Sequence, residues 1–285
     1  MIVVTFWNNN TGKIGQTHSA MAIATHMAIE HNQKILLMST KYNDLVTLQA
    51  FGFNKIMGKA VNLTANNKVS MDLESGIEGM SKLANANRLE ANVIPNYTRP
   101  VFKRKLEILT APADRANGKI DYPKIYSSCK TIISTAKRYY DIVFVDLNNG
   151  LDDPTTREIL GISNIIILNF EQKPSEIEKA LKIREKETLF SPKNTMILIN
   201  RYDRHSKYST KNISRELLER REILSVPYNH IFAESVQEGT IAEFFLNPKV
   251  RKMNGSEDGT TFFMSELKRA EEEIIFKAQE LQMRI

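Results

Sequence analysis

The chain has 285 residues, 42% of them hydrophobic, and a formal net charge of +6 at neutral pH. That length can bury one large core, and the single cysteine, Cys129, excludes an internal disulfide framework and fits a reducing compartment. No apolar run reaches membrane-spanning length and no charged and then apolar leader opens the chain, so a cytoplasmic protein is expected, its basic surplus permitting attraction to nucleic acid or anionic lipid.

In chain order, residues 2–7 (I-V-V-T-F-W) read as a buried strand. The turn N-N-N-T-G-K-I-G-Q-T leads from it into 17–30, where Ala20, Met21, Ile23, Ala24 and Met27 recur at helical spacing. Further strands are expected at 34–38, 106–110, 142–146, 164–169 and 195–200, and further helices at 121–139, 154–161, 175–189 and 212–222. The stretch 39–105 is a long insert rich in Asn, Gly and Met; short helices at 45–52 and 76–89 and then a loop through Pro95 and Pro100 are expected there, since a structureless segment of that size is rare. Short β-branched runs alternating with amphipathic helices predict an α/β fold, a doubly wound and mainly parallel sheet flanked by helices. One domain is expected across 1–285, with no internal repeat or linker.

Basic residues concentrate at 99–105 (R-P-V-F-K-R-K) and 201–211 (R-Y-D-R-H-S-K-Y-S-T-K), read as solvated loops with a binding surface as the alternative. Near the end, Phe263, Leu267, Ala270, Ile274, Ala278 and Leu281 share one face of a helix at about 260–283. Such a face covers its own domain, pairs with a second copy or lies on a membrane surface; the mixed charges between its apolar residues argue against the last.

Three segments carry chemistry. A glycine-bearing loop between strand and helix turns backbone N–H groups toward an anion, and the helix dipole adds about half a positive charge there. Gly12, Lys13, Ile14, Gly15, Gln16, Thr17 and His18 are therefore candidate phosphate-binding residues, with Thr17 placed to meet Mg²⁺. Gln16 stands where a standard P-loop has its lysine. Second, the apolar run before Asp146 puts that carboxylate at the carboxyl edge of the sheet as a second Mg²⁺ candidate, and Gly150 frees the following loop. Third, the strand at 195–200 ends in Asn200, whose amide suits a purine edge, while Pro227 and Tyr228 could wall a base. His26, His31, His205 and His230 lack metal-ligand spacing, so no metal beyond Mg²⁺ is expected.

In this order and spacing the segments resemble the MinD/ParA family of deviant P-loop ATPases, including its CpaE/TadZ pilus-localisation branch. The family loop K-G-G-V-G-K-T matches Thr11-Gly12-Lys13-Ile14-Gly15-Gln16-Thr17; the run ending in Asp146 and Gly150, the strand ending in Asn200, and Val226-Pro227-Tyr228 match its later motifs. Glu234, Gln237, Gly239 and Thr240 look like its E-x-x-x-G stretch. The departures are that the signature lysine falls at Thr11 and the ordinary one at Gln16, and that Leu36-Leu37-Met38-Ser39-Thr40-Lys41 lacks the family's D-x-D carboxylates. The resemblance implies a P-loop (SIMIBI, MinD-like) fold, ATP or ADP with Mg²⁺ as cofactors, a homodimer, and a site at the cell pole or membrane surface reached by peripheral contact. The altered loop implies ATP binding with weak or absent hydrolysis, and hence a positional scaffold for Tad/Flp-type pilus assembly that meets pilus-assembly proteins. The alternative is a ParA-type partition ATPase that binds DNA nonspecifically.

Overall fold

The computed structural model describes residues 1–9, 14–42, 44–53, 76–110, 121–191, 193–219, 221–251 and 259–283. Within them, β1 (Ile2–Trp7), β2 (Ile35–Ser39), β3 (Arg99–Phe102), β4 (Leu106–Thr110), β5 (Ile142–Leu147), β6 (Ile165–Glu171), β7 (Thr195–Tyr202) and β8 (Leu224–Pro227) form one sheet. Its order is β3-β4-β2-β5-β1-β6-β7-β8. Only the edge pair β3 and β4 is antiparallel; the other neighbours are parallel. The strands β1, β2 and β5 are buried at every position, as continuous apolar runs must be when helices cover both faces of a parallel sheet.

The helices are α1 (Gln16–Glu30), α2 (Leu45–Ala50), α3 (Gly76–Asn85), α4 (Tyr122–Ser127), α5 (Cys129–Ala136), α6 (Pro154–Ile162), α7 (Pro174–Lys186), α8 (Thr210–Glu216), α9 (His230–Glu238), α10 (Ile241–Leu246), α11 (Pro248–Arg251) and α12 (Gly259–Gln282). Side chains of α3 to α8 fill the core on one face of the sheet. Those of α1, α9, α10 and α12 fill the other. The chain leaves β1 for β2 on one side and β6 for β7 on the other, so the strand order reverses beside β1, where open α/β sheets bind ligands at their carboxyl edge.

Several elements differ from their expected forms. The helix expected at 121–139 is two helices that meet at Ser128, whose hydroxyl is shared with Ser81 at 3.0 Å and with the Lys124 carbonyl at 3.3 Å. Such side-chain bonds compete with a helical ladder. The one expected at 212–222 ends at Glu216, because Leu218 turns left-handed at φ 49° and the Ser214 hydroxyl donates to the Glu219 carbonyl at 2.8 Å. Residues 99–102 are not a loop: they pair as edge strand β3, where Pro100 is tolerated, and Pro95 lies in a 3₁₀ turn at Ala91–Asn96. On α12, Phe263, Leu267 and Ile274 are fully buried against the sheet and α1, so the apolar face covers the chain's own core. No described helix is long and apolar enough to cross a membrane.

Candidate functional site

The site sits where β1, β2, β5 and β7 end. β1 runs out of apolar residues at Asn8, and α1 starts at Gln16 after Gly15, which adopts φ 92°. A glycine is needed there: an L side chain rarely takes that backbone, and a Cβ would stand 3.4 Å from Asn200 Cβ and 3.5 Å from the Arg201 side chain. The expected phosphate ligands Gly12 and Lys13 lie outside the described residues. Ile14, Gly15, Gln16, Thr17 and His18 lie together along a cavity of about 470 Å³, with Asn8, Lys41, Tyr42, Val46, Tyr122, Asn148, Asn149 and Arg201 around it.

The bonding centres on Gln16. This side chain is buried and turned toward the sheet rather than outward. Its Nε2 donates to Asp146 Oδ1 at 2.6 Å and lies 3.0 Å from the Leu147 carbonyl and 3.2 Å from that of Phe6. Its Oε1 accepts from Asn8 Nδ2 at 2.7 Å. Thr17 Oγ1 donates to Asp146 Oδ2 at 2.6 Å, so each oxygen of that carboxylate has one donor. The Asp146 backbone carbonyl accepts from Thr40 N at 3.1 Å and Thr40 Oγ1 at 3.2 Å, which ties the end of β2 to the same point. Burial raises the Asp146 carboxyl above the usual carboxylate range; the Gln16 and Thr17 bonds oppose this, and the charge of nearby Asp44 adds to it. His18 is pushed below the usual histidine value, chiefly by burial and then by Arg201 and Lys41, so it is neutral at pH 7.

Sequence reasoning did not single out Asp44, and it read Arg201 only as part of a basic loop. Asp44 caps α2 through Oδ1, which accepts from Thr47 N at 3.1 Å, and its 1% exposure leaves Oδ2 buried without a hydrogen-bond partner. The Asn-Asp pair before an apolar helical run is the sequence signal for such a cap. Arg201 follows Asn200 at a bulge in β7, with φ 52° and its guanidinium 3.5 Å from Glu171. It lines both the first cavity and a second one of about 320 Å³ bordered by His18, Val226, Pro227, Tyr228 and Phe232. Asn200 itself is 1% exposed, its Oδ1 taken by the Ser19 hydroxyl at 2.6 Å and its Nδ2 turned to the Phe170 carbonyl at 3.4 Å. Pro227 and the exposed Tyr228 do border the second cavity, whereas Gly150 borders neither. Among the described residues no group of three His, Cys, Asp or Glu side chains converges as a metal site.

The arrangement has the parts for a phosphate-bearing ligand: a helix N-terminus behind a left-handed glycine, a hydroxyl, a buried carboxylate, and Lys41 and Arg201 at the rim. The adjoining cavity beside Tyr228 has a mixed lining, with Val226, Pro227 and Phe232 as well as His18 and Arg201. No family model matches the sequence, and no curated protein does. Solved structures are similar. A ParA family ATPase from Chlorobium tepidum TLS superposes with a TM-score of 0.61 at 18% identity, over 87% of this chain and 92% of that one. A plasmid partition protein from Borrelia burgdorferi gives 0.52 at 18%, over 86% and 97%. The septum site-determining protein MinD from Pyrococcus horikoshii OT3, complexed with Mg-ADP, gives 0.65 at 13%, over 97% and 98%. The eight-stranded, mostly parallel sheet with helices on both faces is thus the fold of the MinD/ParA P-loop ATPases.

Proposed function

We propose that the chain binds an adenine nucleotide with Mg²⁺ at the cavity beside Gly15 and turns it over slowly or not at all, acting as a positional protein rather than a motor. The observation that carries this reading is the seating of Gln16: a neutral amide occupies the lysine's place and is spent on Asp146 and two carbonyls. Phosphate binding tolerates that exchange, because N–H groups at the start of α1, Lys41 and Arg201 still offer positive potential. Hydrolysis does not, because stabilising charge that develops in the transition state needs a cation fixed within fractions of an ångström. Thr17 and Asp146 would hold Mg²⁺, which would supply charge neutralisation at the phosphates; Tyr228 and Pro227 would flank the base. A homodimer facing across this edge follows from the resemblance to MinD and ParA proteins.

The substituted loop supports a scaffold that marks a cellular site, the part played by the CpaE/TadZ branch in Tad-type pilus assembly. A second reading, plasmid or chromosome partition, is supported by the partition protein among the similar structures and by the net charge of +6. Calorimetric titration of ADP and ATP with Mg²⁺ tests the shared core of both: saturable binding is expected, together with phosphate release no faster than in a Gln16→Ala variant. Absence of any heat at millimolar nucleotide would remove the proposal.

A further inference from the structure

A third cavity, of about 240 Å³, is bordered by the carboxyl end of β6 and by α7. Leu151, Phe170 and Ile183 give it a buried apolar wall. Asn169 belongs to the same wall and is fully buried; its Nδ2 donates to the Ile167 carbonyl at 2.8 Å, and its Oδ1 has no donor. Such an oxygen is uncommon in a native interior, and a bound group is one of the few things that account for it. The outer wall is cationic. Lys179, Lys182 and Lys186 are exposed and spaced by three and four residues, so they share one side of α7. The two carboxylates that border the cavity are already matched: Glu176 accepts from Lys179 Nζ at 2.6 Å, and the two oxygens of Glu187 accept from Arg157 at 3.2 and 3.0 Å. Lys182 meets Glu178 at 2.6 Å, outside the lining, and an exposed pair of this kind is worth so little that its ammonium can turn to a ligand. Lys186 has no acidic partner among the described residues.

We propose that this cavity binds a small aromatic hydroxy acid, its carboxylate against Lys182 and Lys186, its ring against Leu151, Phe170 and Ile183, and its hydroxyl donating to Asn169 Oδ1. The volume lies below the range of about 300–1,000 Å³ that suits drug-sized ligands, so the occupant is small. Buried apolar side chains beside the lysines favour a carboxylate with a hydrophobic body over a bare inorganic anion. An aromatic ring supplies that body and holds an anionic end and a neutral donor rigidly apart. Among the described lining residues only Asn8 is shared with the cavity beside Gly15, so the two sites are neighbours with separate walls. The inference therefore stands apart from the nucleotide reading.

The test is calorimetric titration of para-hydroxyphenylacetate into the full chain, where one site per chain is expected. Tyrosol, in which a neutral alcohol replaces the carboxylate, should bind at least about 10-fold more weakly, the worth of a charge-assisted hydrogen bond. Phenylacetate, which lacks the ring hydroxyl, should bind about 3–10-fold more weakly. A chain carrying both Lys182→Gln and Lys186→Gln, two exposed positions, should hold the acid no better than tyrosol; circular dichroism confirms the folded state. Mg-ADP should leave the bound acid in place. Equal affinity for acid and alcohol, parental affinity in the double variant, or phenylacetate that matches the hydroxylated acid overturns the proposal. Displacement of the acid by Mg-ADP also overturns it, by putting the acid in the cavity beside Gly15. Acid binding that depends on Lys182 and Lys186 in a chain that takes up no ADP removes the nucleotide reading and leaves this site standing.

Discussion

Gln16 does two jobs at the single-residue scale: it fills the space of a lysine and supplies Asp146 Oδ1 with its donor at 2.6 Å. Gln16→Ala leaves that buried oxygen bare, and the expected loss of stability is about 1–3 kcal/mol, read from the urea midpoint at unchanged m-value. A parental midpoint in the variant would mean that the amide is incidental to the fold. Gly15 makes a complementary case, because the space for a methyl group nearly exists, at 3.4 Å from Asn200 Cβ, while the backbone at φ 92° does not suit one. Gly15→Ala should therefore cost about 1–2 kcal/mol, the penalty of a left-handed L-residue, and denaturation of this variant beside Gly150→Ala, where φ is not constrained and no atom lies within 4 Å, separates strain from contact. The positions of Gln16, Thr17 and Asp146 were legible in the sequence, since each follows a strand or opens a helix. Their bonds were not, because a donor and acceptor 130 residues apart meet only once β1 and β5 are neighbours.

At the scale of elements, α1 and α12 are joined by more than apolar packing. Glu271 on α12 is fully buried, with Oε1 2.7 Å from His26 Nδ1 and Oε2 3.6 Å from His31 Nε2, both at the far end of the helix that starts at Gln16. Burial pushes the Glu271 carboxyl up to about 7; His26 opposes the rise, and Glu30 and Glu272 add to it. A carboxyl raised from 4.5 to about 7 keeps a proton in the folded chain that the unfolded chain has released. Its contribution to stability is thus complete below pH 4.5 and fades as the pH climbs through 7. Between those limits the slope attributable to this group approaches about 1.4 kcal/mol per pH unit. Thermal unfolding from pH 5 to 8 should show the parent chain losing stability faster than Glu271→Gln; parallel curves would show that Glu271 does not titrate there. Elements of this kind divide by legibility. The long apolar helices and parallel strands could be read because burial on one or two faces writes a period into the sequence. The break at Ser128 and edge strand β3 could not, because one hydroxyl and one antiparallel partner decide them.

For the molecule as a whole, the surplus of positive charge and the choice between scaffold and partition protein meet in one measurement. A net charge of +6 sets a tendency toward polyanions, but only cations free to face a backbone of phosphates release counterions on binding. Many of the basic residues that looked clustered in the sequence are occupied within the fold. Arg99 lies over the Phe53 ring at 5.6 Å, Arg204 over Phe262 at 5.2 Å and Lys207 over Tyr208 at 5.1 Å, while Arg201 faces Glu171 and the cavity. The two segments 99–105 and 201–211 also stand on opposite halves of the sheet, one at the β3 edge and the other after β7, so they do not add into one track. A scaffold built this way should hold DNA weakly, with a shallow dependence on salt and no gain on adding ATP and Mg²⁺. Fluorescence anisotropy of a labelled duplex across about 50–200 mM salt, the range over which phosphate contacts change affinity most visibly, measures both quantities together. A steep negative slope that develops only with ATP would mean that nucleotide assembles a basic surface from two copies, and partition would then replace positional marking as the function.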